Sequence, residues 1–104
     1  MKIQINTDKT IAASESFNAW LSTFISEKME RFSSHITRIE VHLSDENGKK
    51  EGVDDIRCVL EARLEGMQPI AVSNQEATEQ QAVSGAIDKL KASLDTVIGK
   101  LRNK

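Results

Sequence analysis

The chain has 104 residues, 38% hydrophobic and 29% charged, with one proline and five glycines. This is enough for a single domain spanning residues 1–104 with one modest core, and the balance excludes a disordered tail. One cysteine excludes an internal disulfide framework, and the formal net charge of −2 argues against a strong general nucleic-acid binder. No apolar run reaches signal-peptide or membrane-spanning length, so a cytoplasmic, untargeted protein is expected. The charge is unevenly distributed. Residues 1–39 carry net +1, residues 40–79 net −6 and residues 80–104 net +3.

Ile3 and Ile5 alternate with Lys2, Gln4 and Asn6, the pattern of a short strand with one buried face. Ser14 or Ser16 can cap the next element. There Phe17, Leu21, Phe24, Ile25, Met29 and Phe32 follow helical spacing over about residues 15 to 33, with Trp20 at the margin. Glu27, Lys28, Glu30 and Arg31 lie on or beside its wet face. Ile36, Ile39, Val41 and Leu43 mark a second strand, with Arg38, Glu40 and His42 on its other side. Asp45 to Asp54 has two glycines and six charges and reads as a hairpin loop. The third strand alternates most clearly, with Ile56, Cys58, Leu60, Ala62 and Leu64 against Arg57, Glu61, Arg63 and Glu65. After Gly66-Met67, Pro69 stands at the start of a fourth strand that turns Ile70 and Val72 inward.

The last quarter predicts an amphipathic helix. Thr78 is placed as N-cap with Gln81 as its reciprocal partner, and Ala82, Val83, Ala86, Ile87, Leu90, Leu94, Val97 and Leu101 form one apolar stripe. Ile98 falls outside this stripe and is expected to be exposed. The order β-α-β-β-β-α predicts an α+β, two-layer sandwich with a four-stranded mixed sheet and both helices on one face. A right-handed opening makes the first two strands parallel, and hairpins make the others antiparallel.

Chemistry finds little support. Cys58 points inward as a small core hydrophobe, while His35 and His42 read as a helix-end cation and a surface histidine. Neither the cysteine and histidines nor the acidic pairs around the hairpin have metal-ligand spacing, and no glycine-rich phosphate loop exists. No catalytic residue, metal or cofactor is expected, and the protein is not read as an enzyme. The outer sheet face mixes Lys2, Arg38, His42, Arg57 and Arg63 with Glu40, Glu61 and Glu65, and lacks aromatics for base stacking. Cross-strand ion pairing is its expected role. The helices supply the remaining cations. Lys28 and Arg31 on the first, with Lys89, Lys91, Lys100, Arg102 and Lys104 on the second, form one basic surface if the helices lie side by side. Phosphate contact needs only such charges.

The arrangement resembles the ribosome hibernation-promoting factors and ribosome-associated inhibitors, also called sigma modulation proteins. The resemblance is carried by Ala86-Ile87-Asp88-Lys89-Leu90 with Leu94, Lys100 and Leu101, preceded by Ile70-Ala71-Val72-Ser73. A second stretch, Lys28-Met29-Glu30-Arg31-Phe32, leads through Ile36 into Arg38-Ile39-Glu40-Val41-His42-Leu43. It implies a fold similar to a double-stranded-RNA-binding domain. It also implies a partner, the small ribosomal subunit near the decoding centre, where family members block tRNA and mRNA sites in stress or stationary phase. The implied rRNA contacts are Lys28, Arg31, Lys89, Lys91, Lys100 and Arg102. The chain departs from the family at Ala92, Thr96 and Ile98, where further Lys or Arg is common, and at Gln80 and Ser84, which replace an aromatic and an aspartate. It reads as a divergent short member. Ending at Lys104, it lacks the dimerising extension of the long forms and is expected to be monomeric. The alternative expectation is a protein-interaction or stress-response module that has kept the fold and lost ribosome binding, suggested by the acidic hairpin loop and Ile98.

Overall fold

In the computed structural model, residues 1–7, 14–46 and 56–102 are described. The elements run β1 (Lys2–Thr7), α1 (Glu15–Lys28), a short 3-10 turn (Glu30–Phe32), β2 (Ile36–Asp45), β3 (Ile56–Leu64), β4 (Ile70–Glu76) and α2 (Glu79–Arg102). This is the expected order. The four strands lie in one mixed sheet in chain order, β1 parallel to β2 and the other neighbours antiparallel. The hairpin loop expected at Asp45–Asp54 lies largely outside the described residues.

Alternation puts Ile39, Val41, Leu43, Cys58, Leu60, Ala62 and Leu64 on one face of the sheet, and both helices bury their apolar stripes against it. From α1 come Leu21 and Ile25, followed by Met29 and Phe32. From α2 come Ala82, Val83, Ala86, Ile87, Leu90, Leu94 and Ile98. These belong to one core cluster, so the helices form the second layer of an α+β sandwich. Ile3 and Ile5 are only half-buried because β1 is an edge strand, packed on one side alone. Ile36 and Ile39 are three residues apart yet both buried. A register shift between Ile36 and Arg38 inserts the extra residue that turns both inward.

Three local expectations change. α1 stops at Lys28 rather than running to 33. Met29 caps it, with its N–H still donated to Ile25 O, and a 3-10 turn carries the chain onward to bury Phe32. Ser14 is the cap at the other end, its Oγ accepting from the Phe17 N–H at 3.0 Å. At the start of α2, Thr78 Oγ1 accepts from the Gln81 N–H at 3.1 Å, but among the described residues the return bond from the Gln81 side chain is absent. Finally, Ile98 is 5% exposed and belongs to the core. It continues the i+4 row of Leu90 and Leu94, with Phe32 of the 3-10 turn and His35 just after that turn beside it. Val97, on the expected stripe, is only half-buried.

α2 is held tightly on β4. Asn74 Nδ2 donates to the carbonyls of Gln81 (3.5 Å) and Ala82 (3.3 Å), and a Cβ added at Gly85 would overlap the same side-chain amide. Gly85 thus lets strand and helix approach closely. At Gly99, in the last turns of the helix, an added Cβ would meet nothing within 4 Å. The two glycines should respond oppositely to alanine. Gly99→Ala is expected to stabilise the fold by about 0.5 kcal/mol through helix propensity. Gly85→Ala should destabilise it by about 1 kcal/mol, because overpacking exceeds that gain. Urea midpoints of the two variants check this, and a gain for Gly85→Ala would refute the close approach.

Candidate nucleic-acid interface

The structure spreads the five cations whose side chains are described, Lys28, Arg31, Lys89, Lys91 and Lys100, over several places rather than one patch. Lys28 ends α1 and is exposed. Its ammonium lies 5.7 Å from the Phe24 ring centre, at the end of a row in which Trp20 stacks on Phe24 (5.1 Å, 13°) and Phe17 tilts against Trp20 (5.9 Å). Those rings pack on the rim of the core, so the row covers apolar surface and Lys28 snorkels past it. Arg31 sits on the 3-10 turn rather than on α1. Its guanidinium lies 4.5 Å over the Phe32 ring and donates through Nη2 to Asp95 Oδ2 at 2.9 Å.

On α2, Lys89 and Lys100 are eleven residues apart, about three turns, and therefore share a flank. That flank faces β4, because Lys89 Nζ donates to the Ser73 carbonyl at 2.8 Å. Lys91 and Asp95 are four residues apart and lie on the other side of the helix, where Asp95 reaches Arg31. Lys91 is half-buried, while Lys100 is exposed and makes no hydrogen bond or ion pair among the described residues. Arg102 closes α2, but its side chain and Lys104 lie outside the described residues. The exposed cations thus span two flanks of α2 and the end of α1. The sequence alone joined all these cations in one surface and gave no sign of the Arg31–Asp95 pair, which joins residues 64 apart.

The outer sheet face is internally compensated, as its mixed charges imply. Register places Arg38 opposite Arg63 and Glu40 opposite Glu61, like charge facing like. One diagonal contact and two along the strands resolve this. Glu40 Oε2 accepts from Arg38 Nη2 (3.2 Å) and from Arg63 Nε (3.1 Å), which also reaches Glu61 Oε1 (3.0 Å). Arg57 pairs more loosely with Glu46, at 3.7 Å. His42 is exposed, faces Val59 across the sheet, and lines a shallow open depression with Asn6, Thr7, Ser44, Glu46 and Arg57. Among the described residues no three His, Cys, Asp or Glu side chains are grouped to hold a metal, and no helix is long and apolar enough to cross a membrane.

Cys58 is fully buried, and desolvation pushes its thiol up from 9.0 to about 12. The folded state therefore favours the neutral thiol. Its contribution to stability is complete below about pH 9 and is lost as pH rises from there toward 12. The native protein should resist iodoacetamide at about pH 8 and react readily in urea. Equal labelling rates in the two conditions would contradict this burial.

The family model described as sigma 54 modulation protein / S30EA ribosomal protein matches residues 4–102. The chain belongs to this family. Solved structures carry the same fold. The N-terminal domain of Protein Y from Thermus thermophilus aligns with TM-score 0.72 at 16% identity, covering 93% of this chain and 99% of that one. A ribosomal subunit interface protein from Coxiella burnetii aligns with TM-score 0.67 at 15% identity, covering 95% and 99%. No curated protein matches the chain by sequence. As a sigma 54 modulation/S30EA protein it is non-enzymatic, in keeping with the absence of catalytic spacing in the sequence. The two-helix layer over the mixed sheet is the fold of the Protein Y N-terminal domain.

Proposed function

We propose that the protein is a cytoplasmic, ribosome-associated translation modulator. It binds small-subunit rRNA through its helical face and interferes with tRNA and mRNA sites in stress or stationary phase. The observation that carries this reading is the family match over residues 4–102, nearly the whole chain. The side chains support it in kind. Lys28, Lys89 and Lys100 are exposed on the helical layer, while the opposite sheet face cancels its own charges. Cations spread over an elongated body, 50 Å in its longest extent, suit contact with a phosphate backbone and need no base-reading pocket.

Lys89 has a second duty, since its ammonium also satisfies a carbonyl of edge strand β4. Lys91 is the weakest candidate, being half-buried on the flank that carries Asp95. Co-sedimentation with purified small ribosomal subunits at low and moderate salt tests the proposal. Binding that falls with salt is expected, and absence from the subunit fractions at both salts would refute it. A protein-interaction role has lost one of its two motives, since Ile98 is buried rather than displayed.

A further inference from the structure

Asp95 on α2 reaches across to Arg31 on the 3-10 turn. Its Oδ2 lies 2.9 Å from Arg31 Nη2, and both side chains are more than half exposed, 53% and 61%. An ion pair this open contributes little to stability. It does, however, occupy the donor edge of a cation on the helical face. The Arg31 guanidinium is steadied by the Phe32 ring, 4.5 Å from its centre, while the side chain as a whole stays open to solvent. We infer that Asp95 is an intramolecular phosphate mimic that sets the RNA affinity of this chain by masking Arg31.

The inference rests on the RNA-binding reading and adds a regulating residue to it. A backbone phosphate must displace the carboxylate from Arg31 and then remain beside its negative charge. Nearby groups do not remove that conflict. Lys91, one turn earlier on α2, makes no ion pair with Asp95, and Asp88, two turns earlier on the same side, adds a second negative charge. The mask weakens Arg31 as a phosphate ligand while leaving Lys28 and Lys100 free to act.

The test uses the full chain and purified small ribosomal subunits, with binding measured against salt. Asp95→Asn is nearly isosteric and exposed, and circular dichroism checks its fold. It should bind about fivefold more tightly at low salt, the worth of removing one adverse charge near 4 Å in water, and the gain should shrink as salt rises. Asp88→Asn changes net charge equally but unmasks nothing, so its gain should be smaller. Arg31→Gln should erase the gain of Asp95→Asn, returning the double variant close to wild-type affinity, because the two side chains act as a unit. Unchanged or weaker binding by Asp95→Asn, or a gain that survives Arg31→Gln, overturns the inference while leaving ribosome binding intact. If neither wild type nor Asp95→Asn binds at low salt, the RNA-binding reading fails and the inference with it.

Discussion

Leu90→Ala is expected to lower stability by about 2–5 kcal/mol, among the largest losses of any truncation on α2. Leu90 is completely buried, and the cluster around it joins the α2 stripe to the inward residues of the sheet. Truncation removes three heavy atoms from a site walled by helix and sheet, where backbone on both sides limits collapse into the cavity. A domain of this size is stable by about 5–15 kcal/mol, so the loss is a large share of the total. The melting temperature should fall by about 10 °C or more. Val97→Ala, on the same helix but half-buried, serves as the comparison and should cost markedly less. Urea denaturation of the two variants decides the matter. An equal or larger loss for Val97→Ala would mean that the stripe faces the sheet differently from the packing described here.

Most of the packing around Leu90 is legible in the sequence. Period-two alternation in β3 and steps of three and four in α2 reach the core almost unchanged, because each pattern has one way to bury its apolar face. Sheet order is legible too, since antiparallel strands that follow one another in the chain tend to pair as neighbours. The errors lie where two elements meet. A stripe advancing by three or four permits either Val97 or Ile98 at the next turn. The 3-10 turn bearing Phe32, 66 residues earlier in the chain, favours Ile98. α1 ends early for a related reason, as the bend after Lys28 carries Phe32 into the core.

The candidate interface was less legible still. Cation positions can be read from the sequence, but their engagement depends on partners. Lys89 spends a hydrogen bond on Ser73 and Arg31 meets Asp95. Long side chains on separate elements find such partners through tertiary geometry, which leaves no periodic trace. The expectation of one continuous basic surface therefore becomes cations on two flanks of α2 and at the end of α1.

The variant expected to separate binding from folding most cleanly is the double charge reversal Lys28→Glu/Lys100→Glu. Both residues are exposed, one at the end of α1 and one in the last turns of α2. Lys28 would lose its contact with the Phe24 ring, a minor term at an exposed site, and Lys100 has no described bond to lose. Reversal at Lys89 would be less clean, because a carboxylate would then face the Ser73 carbonyl and disturb the β4 edge. If the helical layer contacts rRNA phosphates, each reversal removes one cation and introduces a repelling charge. Affinity for small ribosomal subunits should then drop by at least about tenfold at low salt, and the slope of log affinity against log salt should become shallower by about two. Circular dichroism and the urea midpoint should stay close to wild type, since the altered side chains lie outside the core. Undiminished co-sedimentation would remove both residues from the interface, and the helical face would lose its two least encumbered cations as the route to the ribosome.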